Sequence, residues 1–368
     1  MTDPRLDANA RAYTLCAFCP KVCRFSCPVS ESTRTESTSA WGKMNAAHLV
    51  QTGAAPLDAG TAKDLHACTG CGRCQDVCKH DNDVGHAVFA ARGAATAQGH
   101  QPAGAASTLE TFRHSGNPFG RDLSREVERF RPEAPVRHAL FPGCSTLVKR
   151  PELVEAALEV GEAFGASLGL CRASNTCCGY PLYAAGDFEG LKAHARSLEA
   201  SFATWPELVV VDPGCAYTFQ VVYPRLGIAF PSRVRTLVEV LAEHLPHAPR
   251  RPPLDEVVAY HDSCHLGRGL GQYAPPRALL QRAVKQVNEG FESRAHAGCA
   301  GGGGLLPRTL PDTAVDVARR LATDVAPGGE TVVTACPTSA RMIERSGKRA
   351  EDLLLTLRRW LRPEGGKR

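Results

Sequence analysis

The hydrophobic pattern of this chain changes character near residue 138. Before that point apolar residues recur at helical spacing and strand-like alternation is weak. Residues 39–51 (SAWGKMNAAHLVQ) read as one helix and Val84–Ala97 (VGHAVFAARGAATA) as another. After it, short apolar runs alternate with amphipathic stretches. His138–Phe141 reads as a strand ending at Pro142-Gly143-Cys144. Pro151 opens a helix whose Leu153, Val154, Ala157, Leu158 and Phe164 make one apolar stripe. A second amphipathic helix carries Phe188, Leu191, Leu198 and Phe202. Residues 208–211 form a buried-type strand that runs into Asp212-Pro213-Gly214-Cys215. Past a Pro-rich bridge at 247–253, residues 257–260 form a strand ending at His261-Asp262-Ser263-Cys264, and Thr331–Thr334 one ending just before Cys336. Leu354, Leu357, Trp360 and Leu361 share a face, which predicts a last helix packed back onto the body. Residues 99–136, rich in Gly, Pro, Ser and charge, show little periodicity and read as a connector.

Eight cysteines fall in two tight runs inside the helical region: Cys16, Cys19, Cys23 and Cys27 with Pro28 after them, then Cys68, Cys71, Cys74 and Cys78. The second has the C-x2-C-x2-C-x3-C spacing of bacterial [4Fe–4S] ligation; the first inserts one residue between its second and third cysteines but keeps the closing Cys-Pro. Structural zinc also takes four cysteines, but usually as separated C-x2-C pairs or with histidine. Contiguous ligands occurring twice favour iron–sulfur. The opening MTDPRLDANA has no basic stretch followed by an apolar one, so no export signal is visible. Sixteen cysteines are then expected reduced, in the cytoplasm, where they point to metal or redox chemistry rather than to disulfides.

The later cysteines repeat in register. Cys144 to Cys264 is 120 residues, Cys215 to Cys336 is 121, and Cys178 to Cys299 is 121. Each copy runs strand, Cys, helix, Cys/Gly turn, helix, strand, Cys, which is an internal duplication. Strands alternating with helices imply a parallel sheet, whose strand ends deliver these cysteines to one side. The first copy offers Cys144, Cys177, Cys178 and Cys215 as a metal set. The second offers Cys264, Cys299 and Cys336, with His261, Asp262 or His265 as a fourth ligand, unless the site is vestigial. Either iron or zinc suits histidine beside cysteine. Gly179 after Cys178, and Gly301 in the Gly301–Gly304 run after Cys299, read as cofactor-binding turns whose amides can donate to sulfur. Cys171 falls outside the repeat and reads as structural.

At 368 residues the chain has room for two or three domains. With 43% hydrophobic but only 6% aromatic residues, its cores are expected to be aliphatic and rich in Ala and Gly. A net charge of +5 with no long basic block argues against nucleic acid; the basic C-terminal residues read as a solvated helix and tail. No apolar stretch reaches 18 residues, so no transmembrane segment is expected. The glycine run lacks a G-x-G-x-x-G context, so NAD and FAD are expected on a partner.

Taken together, the two cysteine runs, the Gly-Asn-Pro-Phe-Gly connector (116–120), Phe141-Pro142-Gly143-Cys144, Cys177-Cys178-Gly179, His261-Asp262-Ser263-Cys264-His265-Leu266-Gly267-Arg268 and the glycines after Cys299 resemble the heterodisulfide reductase D-subunit family. That family includes the iron–sulfur subunits of glycolate oxidase and anaerobic glycerol-3-phosphate dehydrogenase. The resemblance runs from about residue 10 to 345. It implies an α-helical ferredoxin domain with two [4Fe–4S] clusters (10–98), a connector (99–136), a first cysteine-rich "CCG" repeat (137–250), a second, degenerate one (251–346), and a C-terminal helix and basic tail (347–368). It also implies a further iron–sulfur or zinc site in the repeats. The implied role is an iron–sulfur subunit relaying electrons between a flavin-dependent dehydrogenase of the 2-hydroxy acid or glycerol-3-phosphate type and a quinone, membrane-associated or other acceptor. The alternative is catalytic reduction of a disulfide at the CCG site. The chain departs from the full CCG motif: one paired cysteine is missing in the second copy, and Asp212 and Val333 stand where each closing C-x-x-C has its first Cys. A five-thiolate site of the kind found in true heterodisulfide reductases cannot form, which favours relay over direct disulfide cleavage.

In two-cluster ferredoxins the fourth cysteine of each run serves the other cluster. One cluster then takes Cys16, Cys19, Cys23 and Cys78, and the other Cys68, Cys71, Cys74 and Cys27. Lys21, Arg24, Arg73 and Lys79 lie in or beside the runs; they either raise the cluster potentials or are simply solvated.

Overall fold

The structure, a computed structural model, describes residues 3–130, 138–170 and 172–362. Cys171 and the tail beyond 362 lie outside the described residues. The N-terminal module is helical, with α1 Ala10–Ala17, α2 Ala40–Gln51, α3 Ala59–His66 and α4 Val84–Ala97. Side-chain caps fix three of the starts: Ser39 accepts from the Gly42 amide, Asp58 from Thr61 and Asp83 from His86. Helix α4 is buried on almost every side, through Ala87, Val88, Phe89, Ala90, Ala91, Ala94 and Ala95. A helix apolar all round belongs at a centre, and α4 is where the module meets the rest of the chain.

The connector departs from the sequence reading. Ala103–Ser115 is a helix, α5, and Leu123–Glu128 a short one. Helix α5 buries Ala105, Thr108, Leu109 and Phe112, a helical spacing that its polar neighbours mask in the sequence.

Two four-stranded sheets follow, all parallel. The first takes β1 His138–Phe141, β2 Leu168–Leu170, β3 Glu207–Val210 and β4 Arg233–Thr236 in the order β2-β1-β3-β4, with α6 Glu152–Ala163 and α7 Phe188–Phe202 among its crossovers. The second takes β5 Leu254–His261, β6 Val284–Glu289, β7 Thr331–Thr334 and β8 Ala350–Asp352 in the order β6-β5-β7-β8. The two orders are the same when β5 is matched to β1, so the duplication read from the cysteines is a duplication of topology. The central strands β1 and β3 are buried on both faces and accordingly read as unbroken apolar runs.

Four strands escaped the sequence reading, and they are the flanking ones: β2, β4, β6 and β8. Strand β2 is three residues long, while β4 (RVRT) and β6 (VKQVNE) expose charged residues at the sheet edges. The final helix, α8 Leu353–Leu361, packs back as expected, burying Leu353, Leu354, Leu357 and Trp360. It shares one core with α6 and with both sheets, from Leu140 and Val209 to Val258 and Val333. No helix among the described residues is long and apolar enough to cross a membrane.

Candidate metal centres

The eight N-terminal cysteines gather as two groups of four. Burial, and then the thiols of Cys23, Cys78 and Cys19, push the Cys16 thiol up to about 12, against a 3.1 Å hydrogen bond from the Asn82 amide. Around Cys74 the raising neighbours after burial are Cys71, Cys68 and Cys27, with Cys23 further down. Cys78 thus sits with the first run and Cys27 with the second, and the two groups are adjacent. A small gap behind the second group is lined by Cys27, Cys68, Cys71 and Cys74 together with Lys43.

Two buried cations stand at that second group. Lys43, 1% exposed, donates to Thr38 O at 2.6 Å and Ala67 O at 2.8 Å and lies 3.8 Å from Cys27 Sγ. Burial opposes its charge, but Cys27, Cys68 and Cys74 outweigh that and raise its pKa. Arg92, wholly buried, donates to Leu65 O (3.0 Å), Cys68 O (2.6 Å), Ala184 O (2.6 Å) and Gly304 O (2.8 Å). One guanidinium therefore joins the N-terminal module to both repeats. The sequence reading missed both residues. Their signal was a lone cation inside the apolar stretches AWGKMNAA and VFAARGAA. The cations it did name turn elsewhere: Lys21 and Arg24 reach Glu36, Arg73 pairs with Glu292, and Lys79 is exposed.

The repeat cysteines converge as expected. A cavity of about 220 Å³ between the two copies is lined by Cys144, Cys177, Cys178, Cys215, Cys264, Cys299 and Cys336, with Asp212, His265 and Arg341 in the same wall. In the first copy the thiols touch, with Cys144 Sγ 3.3 Å from Cys177 Sγ. Contacts from Cys177 and Cys215 make Cys178 the acidic thiol of the set, while Cys144 and then Cys178 push Cys177 up and Cys178 pushes Cys215 up. Gly179 holds φ +82°, and the turn it makes lets the Tyr180 amide face Cys178. Burial raises the Asp212 carboxyl to about 6.

The second copy does not close in the same way. Cys299 contacts Cys264, Thr69 (3.4 Å) and Cys71, so it bridges to the N-terminal module. Cys336 faces the Ser339 amide at 3.4 Å and the Asp212 carboxylate. Of the three candidates for a fourth ligand, His261 is committed to Thr334 Oγ1 and Gly298 O, and Asp262 forms a two-pronged ion pair with Arg277 at 2.7 Å. His265 alone is free at Nε2 among the described residues, stacked on Tyr217 with ring centres 4.6 Å apart. The Gly301 amide donates to Cys299 Sγ at 3.3 Å, while Gly304 has a different task. At φ +59°, a Cβ on Gly304 would lie 2.1 Å from Cys68 O, so glycine there lets the second repeat close onto the N-terminal module.

Residues 12–82 match the model of a 4Fe-4S dicluster domain, and residues 138–220 and 258–344 each match that of a cysteine-rich domain. The chain is 27% identical over 296 residues to the D subunit of the dihydromethanophenazine:CoB–CoM heterodisulfide reductase of Methanosarcina acetivorans, covering 76% of this chain and 72% of that one. One chain thus joins a 4Fe-4S dicluster domain to two cysteine-rich domains, and its relatives include heterodisulfide reductase D subunits. It is also similar to the B subunit of the fumarate reductase (CoM/CoB) of Methanothermobacter marburgensis, at 26% identity over 86% of this chain and 64% of that one. The EtfAB:quinone oxidoreductase of Syntrophomonas wolfei is 25% identical over 77% of this chain and 43% of its own length. The chain thus spans less than two thirds of these last two relatives.

The donor sets of this heterodisulfide reductase relative suit iron–sulfur groups. Four soft thiols in each N-terminal set, an amide on sulfur at Cys68 (Gly70 N, 3.4 Å) and a buried ammonium at Cys27 are what an anionic cluster needs. Among the described residues no three ligand side chains are pinched around a single-ion position. A cubane keeps its four thiolates on separate iron corners, so wider spacing is compatible with it. When bound, such groups supply one-electron transfer.

Proposed function

We propose that the chain is the iron–sulfur subunit of an oxidoreductase, relaying electrons between a flavin-dependent dehydrogenase and an acceptor such as a quinone. The dehydrogenase would act on a 2-hydroxy acid or glycerol phosphate. Cys16, Cys19, Cys23 and Cys78 hold one [4Fe–4S] cluster, and Cys27, Cys68, Cys71 and Cys74 the other. Cys144, Cys177, Cys178 and Cys215 hold a third group at the cavity. The supporting observation is continuity: the first set lies beside the second, and Cys71 of the second touches Cys299 in the cavity wall. The test is anaerobic mixing of the iron-loaded protein with reduced flavin mononucleotide and then menadione. Paramagnetic cluster signals should appear with the first and vanish with the second; iron-loaded protein silent to both defeats the relay.

The shared cavity also favours a second reading, a reductase acting on a small disulfide there. Steady turnover of bis(2-hydroxyethyl) disulfide with reduced viologen and no partner protein would establish it.

A further inference from the structure

The two four-thiol groups differ in their surroundings. The group at Cys16, Cys19, Cys23 and Cys78 lies under a loop whose Phe18, Val22 and Phe25 are 80%, 57% and 68% exposed. Its buried donor is the neutral amide of Asn82. Lys21 and Arg24 on that loop are paired with Glu36, and salt screens charges facing water.

The group at Cys27, Cys68, Cys71 and Cys74 is the more enclosed of the two, although three of its thiols are only half-buried, and three cations meet it. Lys43 Nζ is 3.8 Å from Cys27 Sγ. Arg92 is bonded to the Cys68 carbonyl and Arg268 Nε to the Cys71 carbonyl at 2.9 Å. Arg268 also keeps Nη2 buried and unpartnered among the described residues. Reduction of a cubane adds one negative charge and neither forms nor breaks a bond. Burial alone disfavours that charge, because water is removed. A fixed cation in the same low-dielectric place favours it, and more strongly than at the surface.

We propose that Lys43, backed by Arg92 and Arg268, makes the enclosed group the electron-accepting end of the pair, so that electrons enter at the exposed loop and leave toward the cavity. The enclosed group is the one that touches Cys299, so its electron comes to rest beside the cavity. The exposed apolar loop is then the face of the electron donor. This deepens the relay above and rests on its two cubanes.

The test is an anaerobic potentiometric titration of the full iron-loaded protein, followed by electron paramagnetic resonance. The unmodified protein should show two one-electron steps. In Lys43→Met the higher step should fall by at least tenfold in its equilibrium, 59 mV for one electron, while the lower stays; Lys43→Arg should restore it. A change in the lower step, equal change in both, or none overturns the proposal. Should Lys43→Met fail to hold both groups, Asn82→Leu decides instead: it removes the donor to Cys16 and should move only the lower step, and movement of the higher one overturns the proposal. If the unmodified protein lacks two steps, the two-cubane reading falls and takes the proposal with it; the other failures overturn the proposal alone.

Discussion

At the scale of single residues the two thiol groups make a sharp claim about Cys27. It follows the first run in sequence but keeps company with Cys68, Cys71 and Cys74. Cys27→Ser should therefore lose the same resonance signal as Cys74→Ser, and Cys78→Ser the same as Cys19→Ser, with iron falling in each by about four per chain. Pairing of Cys27→Ser with Cys19→Ser would mean that each run holds its own cluster. Asp352 makes a claim of another kind. It is 2% exposed, its Oδ1 accepts from the Leu354 amide at 3.0 Å, and its Oδ2 has no partner among the described residues. Burial raises its carboxyl to about 7, from 3.8 in an open chain. The folded state therefore binds a proton that the unfolded state has released, so stability is fully present below about pH 4 and is lost as pH rises through about 7. At 1.36 kcal/mol per pH unit the loss is on the order of 4 kcal/mol. Asp352→Asn keeps the cap and removes the ionisation. Its thermal midpoint should match that of the parent at pH 4 and exceed it at pH 8; equal midpoints at pH 8 would refute the buried carboxyl.

Among the elements, helix α8 carries more than its place at the chain end suggests. Trp360 is 3% exposed, meets Phe164 edge-on with ring centres 6.4 Å apart, and donates Nε1–H to Pro252 O at 3.1 Å. It lies in the core that joins the two sheets. Trp360→Ala should cost about 3–5 kcal/mol and raise hydrogen exchange at β1 and β5 together. Faster exchange at one sheet alone would show that the copies are stabilised separately. This helix was legible in the sequence because its stripe is regular and its buried face strongly apolar. The central strands β1, β3, β5 and β7 were legible for a similar reason: each is an apolar run ending at a cysteine. The edge strands were not, since one solvated side breaks the run, and neither was α5, whose buried positions include a threonine. At the metal sites, cysteine spacing announces ligands directly. The cations Lys43 and Arg92 are visible only as exceptions to an apolar pattern, and nothing in a sequence says which carbonyl or sulfur such an exception will meet.

On the scale of the whole molecule, the N-terminal module holds two parallel-sheet units on either side of one cavity. Its grip is specific. Arg92 bonds carbonyls of the module and of both repeats, and Gly303 and Gly304 lie against the backbone of Cys68 and Thr69. Yet much of what it grips with is cysteine loop. Between the helices, the runs are short turns whose thiols and Lys43 need a metal cluster to justify burial together, and a domain built this way draws its folding energy from the metal. The two sheet units, by contrast, share an aliphatic core that no cluster enters. Removing iron with a chelator and reductant should therefore act unevenly. Proteolysis should open within residues 10–98 first, while β1, β3, β5 and β7 keep their protection. The cavity should open too, because its roof at Gly303 and Gly304 rests on the Cys68 loop. Cys144, Cys177, Cys178 and Cys215 should then react with a thiol reagent many times faster than in the iron-loaded protein. If the module stays resistant to protease without iron, its four helices hold it unaided. The Arg92 contacts, not the clusters, would then keep the two halves of the cavity together.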